Sequence, residues 1–210
     1  MTGPTLLVIA KQPQPGRVKT RLIGPCTPEQ AAALAAAALA DTLATLDAVP
    51  AADKVLLLAG TLPPRPGWRI VTQSGGGLDQ RLAAGFEAVT GPALLVGMDT
   101  PQLRPEQLAF DAGQFDACLG PAADGGYWAI GFADPARARE CIVGVPMSQD
   151  HTGAEQLRRL QRAGLRVQLL PELVDVDTAD SARAVAAAAP ATRFARLWRE
   201  IDTIPDPVRR

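Results

Sequence analysis

Short, uninterrupted apolar runs alternate along the chain with longer segments of helical character. Residues 5–10 read Thr-Leu-Leu-Val-Ile-Ala with no polar alternation, the mark of a strand buried on both faces. Residues 54–58 and 93–96 repeat that pattern. Shorter apolar runs at 68–72, 116–119, 127–132 and 167–170 predict further strands. Between them, helices are predicted over 28–48, 78–89, 105–113, 154–163 and 179–188. The first helix is mostly Ala and Leu; Thr27 can cap it, and Pro28 suits its first position. Residues 192–210 predict a short amphipathic helix and a Pro-rich tail.

Strands alternating with helices specify an α/β fold with a mainly parallel sheet. No repeat or linker divides the chain, so residues 1–210 are read as one domain. Its core spans about 5–188, and 189–210 form a C-terminal helix and tail. In open sheets of this class ligands bind where strands end and helices begin, and the polar motifs fall at those places.

Directly after the first strand comes Lys11-Gln-Pro-Gln-Pro-Gly16-Arg17-Val-Lys19-Thr-Arg21-Leu22, with Lys11, Arg17, Lys19 and Arg21 within eleven residues. A glycine turn lets backbone N–H groups approach phosphate oxygens while Lys and Arg neutralise them. The spacing is not that of a P-loop. After the fourth strand, Gly97-Met98-Asp99-Thr100-Pro101 places one carboxylate where a divalent ion on phosphates could be held, or where the next turn is capped. Asp124-Gly125-Gly126-Tyr127-Trp128 combines a hairpin-turn signal with glycines that permit close approach to a ligand. In Asp175-Val176-Asp177-Thr178, an extended backbone would put both carboxylates on one face, which is costly without a cation. Alternatively, Asp177 or Thr178 caps the helix that follows.

Charge narrows the chemistry. Lys plus Arg total 21 and Asp plus Glu 22, for a net charge of −1 over 210 residues. That balance disfavours nucleic acid and polybasic membrane binding as the function. No apolar run approaches the roughly 20 residues of a membrane span, and the N-terminus lacks a basic n-region, so the expected location is cytoplasmic. With three scattered cysteines and a single His151, a Cys/His zinc site is excluded, leaving a hard ion on carboxylates. His151 reads as an exposed residue ahead of a helix, with a general-base role as the alternative.

Taken in order, these motifs resemble the nucleotide-diphospho-sugar transferase superfamily. The likeness is strongest to a small bacterial branch of uncharacterised glycosyltransferases, some assigned to arsenosugar biosynthesis. Related members are guanylyltransferases of cofactor synthesis. The likeness covers about residues 5–188 and rests on 10–22, 97–103, 120–131 and 175–180, with a weaker match at 78–82. It implies a Rossmann-like, GT-A-type αβα sandwich with a mainly parallel, mixed central sheet. It implies phosphate contacts from Lys11, Gly16, Arg17, Lys19, Arg21 and Arg81, and Mg²⁺ or Mn²⁺ held by Asp99, Asp175 and Asp177. Asp124, Gly125, Gly126 and Tyr127 would shape an acceptor pocket, and Asp99 and Lys19 would carry the catalysis.

The expected partners are a nucleotide sugar or nucleoside triphosphate and a small-molecule acceptor. Gly97 stands where many relatives have the first Asp of Asp-x-Asp, so nucleotidyl transfer stays open beside glycosyl transfer. Asp79-Gln80 replaces Gly-Glu, and Met147 replaces a common Trp. A non-catalytic nucleotide-binding module is a further alternative. The Ala-rich helix and the Phe194/Trp198 segment raise the expectation of a homodimer contact.

Overall fold

The computed structural model describes residues 3–202. Seven strands form one sheet: β1 (Thr5–Lys11), β2 (Lys54–Ala59), β3 (Arg69–Thr72), β4 (Ala93–Gly97), β5 (Ala117–Pro121), β6 (Tyr127–Phe132) and β7 (Val167–Leu169). Their order is β3-β2-β1-β4-β6-β5-β7. The β1–β2, β2–β3, β1–β4 and β5–β7 pairs are parallel. Only β6 runs against its neighbours, β4 and β5. This is the mixed, mostly parallel sheet that was expected. The chain builds outward from β1 to β3, then returns to place β4 on β1's other side. The crevice between the ends of β1 and β4 is therefore a topological switch point.

The missing polar alternation in β1 has a direct cause. Leu6, Val8 and Ala10 face helix α1 (Pro28–Asp47). Leu7, on the other face, packs in the layer of α2 (Leu78–Glu87), α3 (Ala138–Ile142) and α4 (Thr152–Arg162). Both faces are covered, so every position from Leu6 to Ala10 is apolar. Helix α1 is itself covered on two sides. Ala32, Ala35, Leu39, Leu43 and Leu46 meet the sheet. Ala31, Leu34 and Ala38 meet α5 (Ala179–Ala188) and α6 (Arg193–Asp202). A helix apolar nearly all round is one sandwiched this way.

That packing takes the Phe194/Trp198 segment away as a dimer contact. Phe194 and Trp198 are buried inside the chain against α1 and α5, so they present no apolar surface to a second copy. The one carboxylate buried in α1, Asp41, fixes the arrangement. It accepts hydrogen bonds from the Phe194 N–H (2.9 Å) and the Arg193 N–H (3.1 Å), capping α6 from another helix.

Other differences are local. The helix expected over 105–113 is only a 3₁₀ turn, Pro105–Leu108. Asp111 ends regular structure there by accepting hydrogen bonds from the N–H groups of Gly113 and Gln114. Helix α3 and the 3₁₀ turn Pro135–Arg137 before it were not anticipated. Their start signal, Asp134 capping with Pro135 at the first position, is nonetheless in the sequence.

Candidate functional site

The loop after β1 is held by its apolar residues. Val18 and Leu22 are buried, Leu22 in the α1–α5–α6 cluster, which leaves Arg17 and Arg21 outside. Between them Lys19 takes a left-handed backbone (φ 49°, ψ 39°), one of two non-glycine residues with positive φ among those described. Such a conformation costs of order 1 kcal/mol or more for a side-chain-bearing residue. It turns the Lys19 side chain inward, where it is 6% exposed.

The Lys19 ammonium meets three oxygens. It lies 2.7 Å from Asp99 Oδ1 and 3.2 Å from Asp177 Oδ1, and it donates to the Val176 carbonyl. Asp99 leaves the end of β4, as expected. Its carbonyl accepts the Val176 N–H (3.0 Å), and Gln102 donates to the Val174 carbonyl (2.7 Å), so segment 174–177 is laced to the segment after β4. Val176 is buried on the opposite side, so Asp175 and Asp177 share the cleft side, as extended chain requires. The capping alternative falls to Thr178. Its hydroxyl accepts from the Ser181 N–H in a capping box, and Asp177 is left free to face Lys19 and Arg21 (3.7 Å).

Electrostatics differ sharply among these groups. Burial alone would lower the Lys19 amine's pKa, but Asp99 and Asp177 outweigh it and hold the amine above its ordinary value. Burial, reinforced by the charges of Asp99, Asp124 and Asp177, pushes the Asp175 carboxyl up to about 7. Asp175 Oδ1 is buried without a hydrogen-bond partner. Such an orphaned oxygen, beside two carboxylates and a backbone carbonyl, is the hard donor set a divalent ion takes. As arranged, however, no three His, Cys, Asp or Glu side chains among the described residues are grouped to hold a metal ion.

The site opens into a cleft of about 900 Å³ at the switch point. Lys11, Arg17, Lys19, Arg21, Arg81, Asp99, Asp124, Gly126, Tyr127, Asp175 and Asp177 all line it. Two of the anticipated residues do not. Gly16 (φ 73°) forms the exposed turn of the basic loop. Gly125 (φ 86°) lies behind the wall, where a Cβ would come within 1.7 Å of the Asp150 carbonyl oxygen. Its own carbonyl accepts the Gly153 N–H (2.8 Å), docking the β5–β6 turn onto the start of α4. The hairpin reading and a place at the cleft are thus both true of this turn. Arg81 is tied to the Gly76 carbonyl (3.0 Å). Burial, with Asp79 adding to it, raises the pKa of the Tyr127 hydroxyl.

Sequence reasoning missed part of the far wall. Gln73, Gln149, Asp150 and Thr152 line the cleft, together with Ser148, the second positive-φ residue (φ 60°). Met147, the replacement of a common Trp, lines the cleft beside them, whereas the anomalous backbone of Ser148 has no sequence signature. Asp79, the departure from the family pattern, accepts the Gly144 N–H (2.9 Å) and so anchors α2 to the turn after α3. His151 stands outside the cleft wall, half exposed, with Nδ1 2.9 Å from Asp150 Oδ1. Cys26, Cys118 and Cys141 are free and buried. No helix among the described residues is long and apolar enough to cross a membrane.

Comparison with solved structures agrees with this architecture. A protein from Desulfovibrio desulfuricans G20, described as a "putative nucleotide-diphospho-sugar transferase", superposes with a TM-score of 0.85 at 26% identity, covering 96% of both chains. Rv0371c of Mycobacterium tuberculosis H37Rv, solved in complex with manganese, matches at 0.53 and 21% identity over 88% of this chain and 97% of its own. A CMP:2-keto-3-deoxy-manno-octonic acid synthetase complexed with CTP matches at 0.52 and 14% identity over 90% of this chain and 99% of its own. These last two likenesses concern the fold alone. No curated protein matches the sequence. The family model described as "Uncharacterized protein conserved in bacteria (DUF2064)" matches residues 30–149, more than half of the sequence, and the chain belongs to that family.

Proposed function

We propose that this protein is a Mg²⁺- or Mn²⁺-dependent transferase acting on an activated nucleotide, with a nucleotide sugar as donor and a small molecule as acceptor. The observation that carries the reading is the division of charge in one cleft at the switch point. Lys11, Arg17 and Arg21 come from the loop after β1, while Asp99, Asp175 and Asp177 meet where β4 and the 174–177 segment end. Asp99, Asp175 and Asp177 would hold the ion, which supplies electrostatic stabilisation of phosphate oxygens.

The chain's own residues do the rest. Arg17 and Arg21 are exposed at the mouth and offer forked donors to the phosphates of a donor. Lys19 supplies a cation where charge builds on the leaving phosphate. The β5–β6 turn, with Asp124, Gly126 and Tyr127, borders the space left for an acceptor. Glycosyl transfer is favoured because the Desulfovibrio protein, alike over nearly the full chain, bears a nucleotide-sugar transferase description. The narrower place in the small bacterial glycosyltransferase branch belongs to this same proposal.

Nucleotidyl transfer is the second reading, and one residue favours it. Gly97 leaves β4 with a single acidic residue, Asp99, in that segment. Phosphorus NMR of the protein incubated with nucleoside triphosphates and nucleotide sugars, with and without Mg²⁺, tests both. Metal-dependent release of a nucleoside diphosphate from a nucleotide sugar supports the first. Pyrophosphate release from a triphosphate replaces it with the second.

A further inference from the structure

The most unusual side chain in the molecule is Lys19. Lysines stay at the surface because an ammonium is expensive to bury, and a left-handed backbone adds to the cost. Here the structure accepts both to set the Nζ atom among Asp99 Oδ1, Asp177 Oδ1 and the Val176 carbonyl oxygen. Those oxygens come from two separate segments and converge on the amine. Asp99 Oδ1 is buried with this ion pair and no hydrogen bond, and Asp175 Oδ1, on a residue lining the same cleft, is buried with no hydrogen-bond partner. An ammonium with hard oxygens converging on it occupies the seat a metal cation would take. The carboxylates are correspondingly not gathered into a ready metal site.

We propose that Lys19 is a tethered counter-cation that fills the divalent-ion seat in the resting protein and is displaced from it when the ion binds. This rests on the reading of Asp99, Asp175 and Asp177 as the metal-holding set. Ion binding would then be coupled to release of a cation into the cleft. The flexible Lys stem allows the amine to leave without moving the loop, whose Val18 and Leu22 anchors stay buried. The metal and the lysine share the seat in sequence and never together. Removing the amine removes a competitor.

The chain has three lysines, which makes the exchange directly readable. Lys11 is exposed, Lys54 half-buried and Lys19 nearly inaccessible. Pulse labelling of the wild-type protein with an amine-reactive acetylating reagent, read by mass spectrometry, is run with and without Mn²⁺ alone. The free-ion signal in electron paramagnetic resonance is followed in parallel. Saturating Mn²⁺ is expected to raise Lys19 labelling about tenfold, leaving Lys11 and Lys54 unchanged, if the seated state dominates by about that ratio. By the same ratio Lys19→Met should bind Mn²⁺ about tenfold more tightly. Bound Mn²⁺ with Lys19 still protected would overturn the exchange while leaving the metal site standing. Weaker Mn²⁺ binding by Lys19→Met would do the same. Failure of both proteins to bind Mn²⁺ would overturn the metal site and the exchange together.

Discussion

Replacing Asp175 with Asn should stabilise the metal-free protein, although it alters a residue assigned to the site. The Asp175 carboxyl is held at about 7, against an ordinary 3.8, mainly by burial and then by the neighbouring Asp99, Asp124 and Asp177 charges. Between about pH 4 and 7 the unfolded chain has lost this proton and the folded chain has kept it. The folded state then binds more protons, so stability falls as pH rises through that window and levels off above about 7. At about 1.4 kcal/mol per pKa unit, the ionised carboxylate costs the fold roughly 4 kcal/mol at pH 8. Asn keeps the shape and never ionises. At roughly 2–4 °C per kcal/mol for a chain of this size, Tm should rise by about 8–16 °C at pH 8. At pH 4 the gap should nearly close, because the wild-type carboxyl is then neutral in the folded state. Saturating Mn²⁺ should shrink the gap at pH 8, since binding at a hundredfold excess over Kd stabilises the wild type by about 2.7 kcal/mol. Differential scanning calorimetry at the two pH values, with and without Mn²⁺, reads all of this. An Asn variant less stable than wild type at pH 8 without metal would refute the reasoning, as would a gap independent of pH.

Asp99→Asn removes both the carboxylate after β4 and the charge paired with Lys19. It should lower any metal-dependent kcat/KM by at least about a hundredfold, measured by steady-state kinetics with the donor that proves active. Asp41→Ala leaves the first N–H groups of α6 without their acceptor and should cost about 1–3 kcal/mol in urea unfolding, with the cleft intact. Gly125→Ala places a Cβ against the Asp150 carbonyl at a positive φ, so it should destabilise by more than 1 kcal/mol in the same assay and disturb the start of α4. Wild-type stability for the last two would show that those contacts are not made.

Strand β1, helix α1 and their order were legible because a continuous apolar run and an Ala-rich helix each have few alternatives once both faces must be covered. The cleft was legible for a topological reason. Motifs after β1 and β4 must meet if those strands are parallel neighbours, and they are. Less visible was what each charge does there. Lys19 reads in sequence like its neighbours Arg17 and Arg21, yet the two arginines flank the cleft while Lys19 is buried against carboxylates more than 75 residues away. The spacing of Asp175 and Asp177 was informative, but the orphaned state of Asp175 depends on packing around it. Of the wall at 147–152, Met147 stood out as the replacement of a common Trp, but Ser148, Gln149, Asp150 and Thr152 did not, because a left-handed Ser148 leaves no compositional trace. Phe194 and Trp198 read in sequence as core or interface, and nothing local announces which, because it depends on α6 folding back onto α1.

The central claim is a metal-assisted nucleotide site at the β1–β4 crevice. Isothermal titration calorimetry of nucleoside diphosphates and triphosphates, with and without Mn²⁺, tests it on wild type and Asp99→Ala. The account predicts that Mn²⁺ tightens nucleotide binding at least about tenfold in the wild type and has no such effect in Asp99→Ala. Nucleotide binding that ignores the metal and survives Asp99→Ala unchanged would contradict it, and would make the protein a nucleotide-binding module without the proposed chemistry.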